Sequence, residues 1–473
     1  YEIYMGDRSS DVCSSDLHNY AVVLHRQRKT AAAWAQVQML VEADPLNPSY
    51  RTLKAALASS IGDYDEALQL YAGVLADYPH NARVWMSYGH SLKTANRQAD
   101  CVHTYRKSIE LAPQLGEAYW SLANLKTFKF EPADIEAMQA QLMRDPLTPE
   151  DRFHFHFALG KAFEDAGRFA ESFKHYEEGN RLRRKGVGYD AQWNTEQLQR
   201  AKALFTPEFF AARAGQGASA PDPIFIVGLP RSGSTLLEQV LSSHPLVEGT
   251  MELADIPNIV KELGGSATRG KSTYPAQIAT LDADALRALG ERYLEQTRIY
   301  RRTDAPFFID KLPNNFAHSA LIHLILPRAR IIDARRHPLG CCFSGYKQHF
   351  ARGQHFTYSL DEIGRYYRDY VELMAHYDAV LPGRVHRVIY ERMIEDTEGE
   401  VRRLLDYCGL PFDERCLRFY ENERAVRTAS SEQVRRPIYR EGVDHWLNYE
   451  PWLGPLKSAL GPVLEHYPSV PEF

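Results

Sequence analysis

The chain has 473 residues, 44% of them hydrophobic and 25% charged, with a formal net charge of −5 at pH 7. The apolar share suits globular cores and the length predicts two or three domains. The near-neutral balance excludes a general electrostatic attraction to nucleic acid, and no apolar run is long enough to span a bilayer.

Tyr1 to Leu17 shows no periodicity, starts without methionine and resembles translated sequencing-adapter sequence, so residues 1–17 are expected to be foreign to the fold. A native N-terminus, and any targeting signal with it, is then expected outside this sequence. Residues 18–195 carry a period. Asp44-Pro45, Tyr78-Pro79 and Ala112-Pro113 recur thirty-four residues apart, as do Tyr71 and Tyr105, and the small residues Ala55, Gly89 and Ala123. A unit of that length, with small residues at a helix contact and proline at its end, reads as a tetratricopeptide repeat. A further unit over Asp151 to Leu182 is out of phase, after an irregular stretch near Glu131 to Glu150. Such repeats stack into a solenoid whose concave face suits an extended partner, while helix-on-helix packing accounts for nearly all the aromatics, Trp85 and Trp120 included. Residues 196–222 read as a connecting helix, from about Thr195 to Ala212, and a Gly/Ala/Ser/Pro linker, Arg213 to Asp222.

Residues 223–473 form the chemical half. The run Ile224 to Val227 predicts a buried strand, Gly228 a break, and Ser234 the start of a helix. Strand, glycine loop and helix N-terminus point backbone N–H groups at a phosphate. Counted from Gly228, the spacing G-x-x-x-x-G-S-T is that of a P-loop with Ser234 in place of its lysine. Next comes Glu252, eight residues after His244, a carboxylate that could take a proton but that reads by itself as a first-turn helix glutamate. Phe307 to Lys311 predicts a strand ending in lysine, followed by a Pro/Asn loop. Arg330 to Ser344 predicts a strand (Ile331 to Ala334), a turn at His337-Pro338 and a helix. It places Arg336 and Ser344 eight apart, a guanidinium and a hydroxyl suited to a phosphate. Arg335 reads as a surface arginine.

Pro230-Arg-Ser-Gly-Ser-Thr235 resembles the 5′-phosphosulfate loop of sulfotransferases, close to P-R-S-G-T-T in tyrosylprotein sulfotransferases. The Arg336–Ser344 spacing is similar to the family's 3′-phosphate element. The distances from Arg231 and His244 to Glu252 match the family's catalytic glutamate, and Lys311 matches its strand-end lysine. Arg427 to Tyr439 resembles the family segment S-T-x-Q-V-x-x-P, with Gln433, Val434 and Pro437 coinciding. Trp446 keeps its spacing from Gln433, and Tyr390, ending an apparent strand from Val385, matches a tyrosine beside the nucleotide. The chain departs from the family at His445, where it has lysine, and at Gln348, where it often has arginine.

The resemblance implies an N-terminal all-α tetratricopeptide solenoid followed by a P-loop-like α/β domain with a central parallel sheet. It implies transfer of a sulfuryl group from 3′-phosphoadenosine-5′-phosphosulfate (PAPS) to a hydroxyl acceptor, a protein tyrosine, a glycan and a small phenol or alcohol all remaining open. No metal is expected. Glu252 would be the base. Lys311, Arg231 and Ser430 would act on the sulfuryl group and leaving oxygen. Arg231, Ser232, Gly233, Ser234, Thr235, Arg336, Ser344, Tyr390, Ser431, Gln433 and Arg435 would hold the cofactor. His349 and His318 are next in line as the base. Six scattered cysteines, with Cys341 and Cys342 adjacent, fit a reducing compartment, and a cytoplasmic location is expected. Two rival readings are a P-loop kinase, weakened by Ser234, and a non-catalytic repeat scaffold with a degenerate nucleotide domain.

Overall fold

The computed structural model describes residues 14–27, 29–266, 268–350, 353–426, 428, 431–438, 440 and 442–473. Its contacts divide the chain into two compact units, one ending at Pro113 and the other running from Gln114 to Phe473. Among the described residues no helix is long and apolar enough to cross a membrane.

The first unit is helical. Pro48–Ile61 packs on Tyr64–Asp77, and Ala82–Thr94 on Gln98–Leu111. The thirty-four-residue period has a local cause at two of the helix starts. Asn47 and Asn81 use their side chains to accept backbone N–H groups of the helices that follow them. It has a packing cause too. A Cβ on Gly89 would stand 2.5 Å from the Tyr105 ring, while Ala55 and Tyr71 share one buried cluster. The first helix runs Ser14–Arg26, so it takes in Leu17, which packs against the buried cluster around Leu24 and Leu40. The expected foreign segment is therefore part of a helix at its end, and its first thirteen residues lie outside those described.

The second unit starts with more helices, well upstream of the expected linker at 196–222. Gly116–Ala123 packs on α1 (Pro149–Asp165), which pairs with α2 (Phe169–Lys185). Gly160 and Tyr176 repeat the sixteen-residue offset of Gly89 and Tyr105: a Cβ on Gly160 would lie 2.7 Å from the Tyr176 ring. The out-of-phase repeat is thus a true helical pair. It is tied to the rest of its unit by Asn180 Nδ2 donating to the Tyr346 carbonyl at 3.0 Å. Ser172 and Tyr449 hydroxyls lie 2.9 Å apart, and Arg184 grips Glu362 through two hydrogen bonds of 2.8 and 2.7 Å.

The sheet has five parallel strands, β1 (Pro223–Gly228), β2 (Val247–Gly249), β3 (Phe307–Lys311), β4 (Arg330–Arg335) and β5 (Val385–Ile389), in the order β2-β3-β1-β4-β5. Ile224, Phe225, Ile226 and Val227 are fully buried, as a central parallel strand with both faces covered demands. The chain leaves β1 toward β2 and β3 on one side and returns to β4 and β5 on the other. The crevice beyond the carboxyl end of β1 is therefore the topological switch point, where open α/β sheets bind ligands.

Three local readings change. Arg335 is 2% exposed, its charge met by Asp333 at 3.0 Å; the last residue of an interior strand faces the core. Glu252 precedes its helix, which begins at Asp255 (Asp255–Glu262), so it is not a first-turn residue. Tyr390 opens a helix, Tyr390–Glu395, instead of closing β5.

Candidate functional site

Three strand ends build the site. After β1 the loop turns through positive φ at Gly228 (138°), Arg231 (71°) and Gly233 (95°), and α3 (Ser234–Ser242) follows. A Cβ on Gly228 would meet the Ala334 carbonyl oxygen at 2.4 Å, and one on Gly233 the Tyr390 ring at 2.6 Å. Glycine is thus required at both places by neighbour as well as by backbone. Arg231 adopts the left-handed region without being glycine, a strain that marks functional loops. Its Nε donates to Ser344 Oγ at 2.9 Å and its Nη2 to Gln433 Oε1 at 3.2 Å.

Arg336 leaves the end of β4, and α4 (Pro338–Tyr346) carries Ser344. Arg336 Nη1 donates to the Arg231 carbonyl at 3.4 Å, Nη2 donates to the Gly442 carbonyl, and the guanidinium lies 4.8 Å over the Tyr390 ring. Its Nε is buried without a hydrogen-bond partner, a donor that an anion would satisfy. The loop and the β4–α4 element thereby share one cavity of about 390 Å³. Arg231, Gly233, Ser234, Thr235, Arg336, Ser344, Tyr390 and Gln433 all line it.

Glu252 and Lys311 meet each other beside this cavity but do not line it. Lys311 lies at the end of β3, paired in register with Ile226 of β1. Its Nζ donates to Glu252 Oε1 at 2.6 Å and stands 3.8 Å from Glu238 Oε2 on α3. Glu238 is held from its other side by Arg424 at 2.8 Å. The Lys311 side chain is 1% exposed and that of Glu252 43%, so the pair presents its carboxylate to solvent and its ammonium to the core. His244, by contrast, is structural: Nδ1 accepts from the Leu246 N–H at 3.2 Å and Nε2 faces the Pro411 carbonyl at 3.0 Å.

Other expected residues fall elsewhere. Ser232 and Ser431 are buried and do not line the cavity. Arg435 turns away and donates to the Arg424 carbonyl at 3.2 Å, leaving Arg436 on the cavity wall. Ser430 lies outside the described residues. His318 and His349 are buried. Burial lowers His318 to about 4 and, with His154 and Arg183 nearby, holds His349 well below its usual range.

The sequence reading missed one wall of the cavity entirely. It consists of Trp120, Lys126, Lys161, Glu164 and Asp165 from the helical segment, with Lys347 opposite. Lys347 Nζ donates to Glu164 Oε2 at 2.7 Å. Burial would raise the Glu164 carboxyl, but Lys347, His445 and Lys161 outweigh it and lower it to about 2. Lys347 could have been suspected, being one turn beyond Ser344. Nothing in the local sequence marks Lys126 or Lys161. Among the described residues, no group of three or more His, Cys, Asp or Glu side chains is placed to hold a metal ion.

The site is therefore a crevice of P-loop-like α/β type, lined by the loop before α3, Arg231 and Arg336. Residues 223–414 match the model of the Sulfotransferase family, and residues 82–115 match that of the Tetratricopeptide repeat. The chain thus joins a tetratricopeptide-repeat region to a domain similar to sulfotransferases, as its motifs imply. An uncharacterized protein of Aquifex aeolicus (strain VF5) is 29% identical over 420 residues, covering 87% of this chain and 54% of that protein. A protein-tyrosine sulfotransferase of Drosophila melanogaster is 22% identical over 279 residues, covering 53% of each. The chain spans about half the length of these two curated relatives. Among solved structures, the sulfotransferase domain of the Synechococcus PCC 7002 olefin synthase is 24% identical, covers 48% of this chain and 88% of that chain, and superposes with a TM-score of 0.36.

Proposed function

We propose that the protein is a sulfotransferase that moves a sulfuryl group from PAPS to an acceptor hydroxyl, a protein tyrosine being one candidate. The observation that carries this is the union of two anion-binding elements in one cavity. Arg231 bonds Ser344, and Arg336 bonds the Arg231 carbonyl, so a ligand with two phosphate groups would be read by both.

In this reading the N–H groups of the loop and α3, with Arg231, bind the 5′-phosphosulfate, and Arg336 and Ser344 bind the 3′-phosphate. The acceptor oxygen attacks sulfur in line, the bond from sulfur to the bridging phosphate oxygen breaks, and adenosine 3′,5′-bisphosphate leaves with that electron pair. Glu252 takes the acceptor's proton. Its bond to Lys311 supports the role: the ammonium aims the carboxylate and is a fixed positive charge beside developing negative charge.

Calorimetry with adenosine 3′,5′-bisphosphate and adenosine 5′-phosphate tests the assignment. Hydrogen bonds to charged groups contribute about 1.5–3 kcal/mol each, so the bisphosphate should bind roughly tenfold or more tightly. Equal affinities would overturn it. Sulfur-labelled PAPS with peptide, glycan and phenol acceptors then identifies the acceptor class, and magnesium-dependent turnover of ATP instead would favour the kinase reading.

A further inference from the structure

Behind the pair of Glu252 and Lys311 lies a second pair of opposite charges, Glu238 and Arg424, to which the reaction above gives no task. Glu238 belongs to α3, and its side chain is 3% exposed. A carboxylate is costly to bury and persists in a core only with partners. Arg424 meets its Oε1 at 2.8 Å. Its Oε2 makes no hydrogen bond and stands 3.8 Å from Lys311 Nζ.

Arg424 is itself fixed. Its Nε donates to Gln239 Oε1 at 3.1 Å and to Ser242 Oγ at 2.9 Å, both on α3. Its Nη1 lies 3.5 Å from the carbonyl of Thr250, two residues before Glu252. A Cβ on Gly249 would stand 2.9 Å from the same guanidinium. Arg424 therefore ties α3 to the segment that leads from β2 to Glu252. The charges alternate in sign along Arg424, Glu238, Lys311 and Glu252, and Glu252 is the most exposed of the four.

Lys311 thus faces two carboxylates that differ in standing. Glu252 reaches solvent, and in the proposed reaction it is neutralised when it takes the acceptor's proton. With no other carboxylate near, the buried ammonium would lose its counter-charge at that moment, which is strongly unfavourable. Glu238 takes no part in the transfer, being buried, clamped by Arg424 and absent from the cavity wall. Its Oε2 is about 1 Å short of hydrogen-bond distance from Nζ, so a small swing of the lysine side chain exchanges one carboxylate for the other.

We propose that Glu238, fixed by Arg424, is a positioning residue for Lys311: it holds the ammonium in place while Glu252 takes the proton. The inference rests on the sulfotransferase reading above. Glu238 touches neither donor nor acceptor and acts through Lys311.

The test is a double-mutant cycle in the full chain, with turnover read from sulfur-labelled PAPS and the most active acceptor of the panel above. Glu238→Gln should lower kcat by about tenfold to a hundredfold, the scale of a misplaced catalytic group. It should leave the calorimetric affinity for adenosine 3′,5′-bisphosphate within about twofold, which also shows that the variant is folded. In a Lys311→Met background the same substitution should change kcat by less than about twofold, because residues that act as a unit are not additive. An unchanged kcat in Glu238→Gln, or an equal loss in both backgrounds, would overturn the inference. If Glu238→Gln loses the bisphosphate, Glu238→Gln combined with Arg424→Met takes its place in both backgrounds under the same criteria, since it leaves no charge of the pair unpaired. Loss of the bisphosphate there too would make the pair a brace for the fold and overturn the inference. A wild type that transfers no label from PAPS, or that does not distinguish the bisphosphate from adenosine 5′-phosphate, would instead overturn the sulfotransferase reading.

Discussion

Glu252 and Lys311 sit fifty-nine residues apart in sequence and 2.6 Å apart in space, and their pairing sets what each substitution should do. Glu252→Gln keeps the shape and removes the proposed base. It should lower turnover by about 10²–10⁴ while leaving adenosine 3′,5′-bisphosphate affinity within about twofold, because Glu252 does not line the cavity of Arg231 and Arg336. Near-native turnover with labelled PAPS would move the base elsewhere, and the burial of His318 and His349 makes both poor replacements. Gly233→Ala probes the loop. Its φ of 95° and the 2.6 Å approach of the Tyr390 ring leave a methyl group no unstrained position. The expected cost is about 1–3 kcal/mol of stability, read by urea denaturation, with loss of nucleotide binding. A variant that bound normally would mean that Tyr390 moves aside freely.

At the scale of elements, β1, β3, β4 and the helix after Gly233 were legible because each has a local cause: an apolar run, a glycine that only one backbone conformation tolerates, a proline at a helix start. Arg231, Arg336 and Ser344 could be found by spacing because each sits at a fixed distance past a strand end. The orientation of Arg435 and Arg436 was not legible, since a single-residue rotation in an irregular turn decides which of the two faces the cavity. Nor was the wall formed by α1, because Glu164 on a repeat helix looks like any solvated charge until its partner Lys347 is known. That contact carries its own prediction. The folded-state pKa of Glu164 is about 2, depressed from 4.5, so its contribution is complete above about 4.5 and is lost as pH falls toward 2. His445, lowered by burial and by Lys347 to about 4 from 6.5, is more readily protonated in the unfolded chain and removes stability between about 6.5 and 4. Stability measured by denaturation should therefore fall from about pH 6.5 downward, with a second loss below 4.5. Glu164→Gln should abolish the second loss and cost about 3–5 kcal/mol at neutral pH by leaving Lys347 buried without its partner. A variant that keeps the full acid profile would show that another carboxylate controls it.

For the whole molecule, the compact units part at Pro113 and Gln114, and that boundary tells where the chain can be divided. A chain beginning near Ala218, just before β1, would leave out Lys126, Glu164 and the Asn180, Ser172 and Arg184 contacts. It would expose the apolar surfaces of α4 and of the Tyr449 segment, so it is expected to aggregate or to bind adenosine 3′,5′-bisphosphate much more weakly. A chain beginning at Gln114 keeps all of those contacts and should bind the nucleotide within about twofold of the full chain. The repeats before Pro113 are then free to serve the acceptor, since a concave repeat surface suits an extended peptide or glycan better than a small phenol. Comparing the Gln114 chain with the full chain on both kinds of acceptor decides this. Activity on the macromolecular acceptor should fall well below that on the phenol, with nucleotide affinity as the check on folding. If the ratio of the two activities is the same in both chains, the repeats before Pro113 do not select the acceptor, and their role is to bind some other partner.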